Sequence, residues 1–89
     1  MSRSTETSRA EVTFYTKAGC HLCEEMKAEI AKADCEDRYE LEEINIETDE
    51  SLANRYRYDI PVLMINGNEA FRHRLTADSF RDYLKRTVA

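Results

Sequence analysis

The sequence predicts an α/β domain whose elements run βαβαββα. Three observations carry that prediction. Segments of strand character alternate with segments of helical period, one strand-sized run is apolar at every position, and an Asn-Gly pair separates that run from one more strand. The 89-residue chain makes one domain, and at this size only about 60% of the unfolded surface is buried, so the core has to be compact. Residues 1–10 are rich in Ser, Thr and Arg without apolar periodicity and are expected to form a disordered tail, which leaves 11–89 as the domain.

Each element has its own signal. Val12, Thr13, Phe14 and Tyr15 form the first strand, and Lys17-Ala18-Gly19 turns the chain. A helix follows, in which Leu22, Cys23, Met26, Ile30 and Ala33 recur at intervals of three and four and make one buried stripe. Tyr39 to Ile46 reads as the second strand, and a change of phase at Glu42-Glu43 predicts a bulge or a later start. Asp49 caps a short helix in which Leu52 and Tyr56 share a face. Val62 to Ile65 is the continuously apolar run, the pattern of a central strand covered on both sides. Asn66-Gly67 supplies two positions that accept positive φ, so Glu69 to His73 should return antiparallel as an edge strand. Thr76 then caps a last helix with the stripe Phe80, Tyr83, Leu84 and Val88.

Charge and composition exclude several function classes. A net charge of −5 argues against general binding to nucleic acid, which depends on basic surface that neutralises phosphates. The longest apolar run is far shorter than a membrane span, and no charged start with an apolar follower marks a signal peptide. A cytoplasmic monomer without nucleic-acid or membrane partners is the expectation. Three cysteines leave one over from any single pairing, unlike the dense, even sets of disulfide-stapled secreted domains.

Cys20-His21-Leu22-Cys23 is the motif that carries chemistry. On a helix, positions i and i+3 lie on one face, at a Cα separation of roughly 5 to 6 Å that suits a disulfide. Cys23 falls on the buried stripe, whereas Cys20 starts the helix outside it, so the two thiols meet different surroundings. A thiol at a helix start faces unpaired N–H groups and the positive end of the dipole, and Lys17 adds a nearby cation, so the thiolate of Cys20 is favoured. A thiol whose pKa falls from about 8.5 to about 6 gains roughly 30-fold in thiolate at pH 7. The same fall costs roughly tenfold in intrinsic nucleophilicity, so the larger benefit is a better leaving group.

The run Tyr15-Thr16-Lys17-Ala18-Gly19-Cys20-His21-Leu22-Cys23, followed by Ile60-Pro61 before an apolar strand and a hairpin, resembles the glutaredoxin-like proteins of the thioredoxin fold. The resemblance spans almost the whole chain after the tail. It implies a four-stranded mixed sheet with three helices, Cys20 as attacking thiol, Cys23 as resolving thiol, and a redox-active disulfide between them. It also implies a cis peptide before Pro61, from which the Ile60 backbone pairs with an extended substrate. Lys17, His21, Ile60 and Pro61 become the substrate-binding or glutathione-binding residues. The substrate implied is a protein disulfide or a glutathione mixed disulfide. Glutathione as co-substrate, or a thioredoxin-type reductase, supplies electrons, and no tightly bound cofactor is expected.

The chain departs from better-known glutaredoxins in two places. His21-Leu22 stands where Pro-Tyr is usual, and His73-Arg74-Leu75-Thr76 stands where a Gly-Gly pair holds glutathione. Two other readings of the cysteine pair stay open: a zinc or iron–sulfur module completed by a second chain or by glutathione, and a redox-inactive interaction domain. Cys35 is expected to be a bystander thiol, because on a continuous helix the twelve residues from Cys23 rise about 18 Å. Arg55, Arg57, Arg72 and Arg74 read as solvated surface, with one or two of them as candidates for a carboxylate such as that of glutathione.

Overall fold

The computed structural model describes residues 9–88, without the Val88 side chain. Four strands are present: β1 (Ala10–Thr16), β2 (Tyr39–Asn45), β3 (Val62–Ile65) and β4 (Asn68–Arg72). Three helices accompany them: α1 (His21–Ala33), α2 (Glu50–Tyr56) and α3 (Ala77–Val88). The strand order is β2-β1-β3-β4, with β1 parallel to β2 and both remaining pairs antiparallel. The sheet is therefore mixed, and the order βαβαββα matches the expectation.

Strand alternation divides the core into two layers. Val12 and Phe14 of β1, with Leu63 and Ile65 of β3, pack with Cys23, Met26 and Ile30 of α1 and with Phe80 and Leu84 of α3. Tyr15, Val62 and Met64 point the other way and pack with Leu52 and Tyr56 of α2. This two-sided burial is why β3 has no polar position. Each apolar side chain removed from water here is worth roughly 1.5–3 kcal/mol.

Local signals set the ends of most elements. Asp49 Oδ1 accepts from the N–H groups of Ser51 and Leu52 at the start of α2. Thr76 Oγ1 accepts from the Ser79 N–H, and Ser79 Oγ accepts from the Thr76 N–H, a reciprocal cap on α3. Asn66 and Gly67 both have positive φ, 52° and 84°, as a tight hairpin requires.

Four expectations are corrected. β1 begins at Ala10, which is buried and has Tyr39 as its strand partner, so the strand starts two residues before the predicted Val12. Arg9 before it is exposed and lies 3.3 Å from Glu40, and residues 1–8 of the expected tail lie outside the described residues. β2 pairs with β1 residue for residue from Ala10↔Tyr39 to Thr16↔Asn45, with no bulge. Its phase change reflects an edge position instead: Glu43 reaches Lys27 at 3.3 Å, Leu41 stays exposed, and the strand stops where Asn45 Oδ1 accepts from the Glu47 N–H. The irregularity sits in the other edge strand, where Leu63↔Phe71 is followed by Met64↔Glu69 and Ala70 is left over. β4 ends at Arg72 rather than His73, because His73 turns to φ 71° and gives its N–H to the Pro61 carbonyl at 2.7 Å.

Candidate active site

Cys20 is the N-cap of α1, in extended backbone at φ −86° and ψ 108°. Gly19, at φ +76°, makes the turn from β1 that delivers it, a conformation that strains residues with a side chain. The Cys20 carbonyl accepts the first helical bond from Glu24 N, and its Sγ accepts from the Cys23 N–H at 3.1 Å. The sulfur thus occupies the position of a capping oxygen, where the N–H dipoles of the first turn favour negative charge.

Cys20 and Cys23 form a disulfide across a Cα separation of 5.2 Å. Their environments differ as the helical stripe predicts. Cys23 is 1% exposed and belongs to the core, while Cys20 is half-buried and packs against its margin. Cys20 is more enclosed than a freely exposed thiol, because it packs at the edge of the main core cluster.

The other predicted site residues are brought together unequally. The Ile60–Pro61 peptide is cis, and Pro61 is fully buried. Ile60 packs on both core layers, but its N–H goes to the Tyr56 carbonyl at 3.3 Å, so only its carbonyl can still receive a substrate N–H. Lys17 is exposed on the turn after β1. His21 is the first residue of α1, 91% exposed, and its Nε2 lies 3.5 Å from Glu25 one turn onward. The ring therefore follows the outer face of the helix. Among the four arginines singled out in the sequence, Arg72 is paired with Asp59 at 3.1 Å and with Glu69 at 2.8 Å, and the Arg57 guanidinium lies over the Tyr58 ring.

Cys35 is set apart from this chemistry. The helix does not continue to it: α1 stops at Ala33, Asp34 takes a left-handed conformation at φ 55°, and Arg81 donates two bonds to the Ala33 carbonyl. Cys35 is a free, buried thiol, and burial pushes its pKa up. Among the described residues, no three His, Cys, Asp or Glu side chains converge as metal ligands.

A groove of about 760 Å³ opens between α1, β4 and the start of α3. Met26, Phe71 and Leu75 contribute apolar surface, and Glu25, Glu29 and Arg74 contribute charge. Met26 on its wall lies one helical turn after Cys23, and His73 on its rim gives its N–H to the Pro61 carbonyl. Sequence reasoning missed Glu29. Its Oε1 accepts from the Ala77 N–H at 2.9 Å, a contact between residues 48 positions apart that no local pattern announces.

Comparison with known proteins agrees with this geometry. Residues 11–85 match the family described as Glutaredoxin-like domain (DUF836). The chain is 36% identical to a glutaredoxin-like protein of Dictyostelium discoideum, the YDR286C homolog, over 75% of this chain and 68% of that protein. The solution structure of protein Ne2328 from Nitrosomonas europaea superposes with a TM-score of 0.69 at 34% identity, covering 84% of this chain and 91% of the other. Chloroplastic thioredoxin z shares the fold with a TM-score of 0.72 at 13% identity, covering 96% of this chain and 82% of the other. With its cysteine pair at the first turn of α1 and a sheet of thioredoxin type, the chain belongs to the glutaredoxin-like domain family.

Proposed function

We propose that this protein is a thiol-disulfide oxidoreductase of glutaredoxin type that reduces protein disulfides or mixed disulfides. The observation that carries the proposal is the Cys20–Cys23 disulfide at the start of α1, with one sulfur reachable and the other buried.

In the reduced protein the Cys20 thiolate attacks one sulfur of a substrate disulfide. A mixed disulfide forms, and the other substrate sulfur leaves as a thiolate that takes up a proton. Cys23, three residues along the same helix, then attacks Cys20 Sγ. The second substrate sulfur departs, and the electron pair given to the substrate leaves Cys20 and Cys23 oxidised. Two electrons from glutathione or from a thioredoxin-type reductase restore the dithiol. The amide that holds Cys20 Sγ at 3.1 Å favours its thiolate both as attacking and as leaving group. A reducing cytoplasmic setting fits such a cycle. Among the described residues no helix is long and apolar enough to cross a membrane.

The test is reduction of a peptide disulfide by the prereduced protein. Cys20→Ser abolishes it, and a variant that retains full activity overturns the proposal.

A further inference from the structure

We propose that Glu29 is a specificity-determining residue, a built-in carboxylate that disfavours thiols carrying carboxylates in the groove between α1, β4 and the start of α3. The inference rests on the oxidoreductase reading above. It concerns which disulfides that chemistry accepts.

The start of α3 is a place in the groove where backbone donors could receive a carboxylate. The structure fills three of its N–H groups from within. The Ala77 N–H goes to Glu29 Oε1 at 2.9 Å, the Ser79 N–H to Thr76 Oγ1 at 3.1 Å, and the Phe80 N–H to the Thr76 carbonyl at 3.0 Å. The Thr76 N–H just before them is taken by Ser79 Oγ. Glu29 is fixed on its other side by Lys32, whose Nζ lies 3.0 Å from Oε2. These two contacts, Lys32 first and the Ala77 N–H second, hold the carboxyl below the usual range, so it stays charged. The side chain is still 29% exposed and lines the groove together with Glu25. A substrate carboxylate entering here finds the Ala77, Ser79 and Phe80 donors occupied and two carboxylates on the wall. Arg74 is the cation that lines the same groove, and His73 borders it. A neutral segment meets no such opposition and gains the apolar surface of Met26, Phe71 and Leu75.

The experiment compares two substrates built on one peptide, a mixed disulfide with glutathione and the same with glutathione diethyl ester, in single turnovers with prereduced protein. The wild type reduces the ester faster, by about fivefold or more, as one unfavourable like-charge contact near a surface implies. Glu29→Gln keeps an acceptor for Ala77 and removes the charge, so the ratio falls toward one while the ester rate stays as it was. Glu29→Ala also frees the Ala77 N–H and raises the rate on the acid. Equal wild-type rates on acid and ester overturn the inference. So does a loss of both rates together in both variants, which marks a purely structural residue. A wild type that reduces neither substrate, nor a plain peptide disulfide, contradicts the oxidoreductase reading instead.

Discussion

The unequal burial of the three cysteines predicts their order of modification in the reduced protein. Cys20 is half-buried at the edge of the core, Cys23 is 1% exposed and Cys35 is 4% exposed. An alkylating reagent reaches Cys20 without any rearrangement of the chain. Cys35 reacts only when the core opens, and a domain of this size has a stability of roughly 4 to 12 kcal/mol. Even the lower figure leaves an open fraction of about 10⁻³ at room temperature, so Cys35 reacts at least about 1000-fold more slowly than in denaturant. Its raised pKa slows it further, because less of it is thiolate. Cys23 is as deeply buried but lies in the first turn of α1, where opening costs less, and its rate falls between the other two. Iodoacetamide labelling followed over time by peptide mass spectrometry reads all three rates in one experiment. Labelling of Cys23 or Cys35 as fast as Cys20 refutes the assignment of attacking and buried thiols.

Other outcomes follow from the packing and the charges. Phe80 is fully buried and meets Tyr39 edge-on at 5.3 Å, so Phe80→Ala costs about 3–5 kcal/mol and leaves the domain marginal in urea unfolding. Glu29 and Glu69 have depressed pKa values, the first from Lys32 and the Ala77 N–H, the second from its paired Arg72. The stability they contribute is present in full above the unfolded-state carboxylate pKa of about 4.3 and is lost as pH falls through their lower folded values. Thermal unfolding between pH 6 and pH 3 shows that decline, and Glu29→Gln flattens its share of the slope.

Much of the fold was legible because its signals are local. The helical stripe through Cys23, Met26 and Ile30, the caps at Asp49 and Thr76, and the Asn66-Gly67 hairpin each depend on residues a few positions apart. The features that escaped are settled by partners distant in sequence. α1 ends where Arg81 caps the Ala33 carbonyl, β4 ends where His73 meets Pro61, and β2 runs without a bulge because β1 pairs with it throughout. The cysteine pair was legible as a disulfide pair from its spacing. Its groove was not, since Met26 and Glu29 of α1, Phe71 of β4 and Leu75 of the loop before α3 are distant in sequence and only the tertiary fold brings them together.

The central claim is that Cys20 makes the bond to substrate and Cys23 releases it. Cys23→Ser tests this most directly, because it stops the cycle after the first step. Incubated with a disulfide peptide and examined by mass spectrometry without reductant, this variant accumulates a one-to-one adduct linked through Cys20, and the wild type does not. An adduct on Cys35, or none at all while the wild type turns over, contradicts the account.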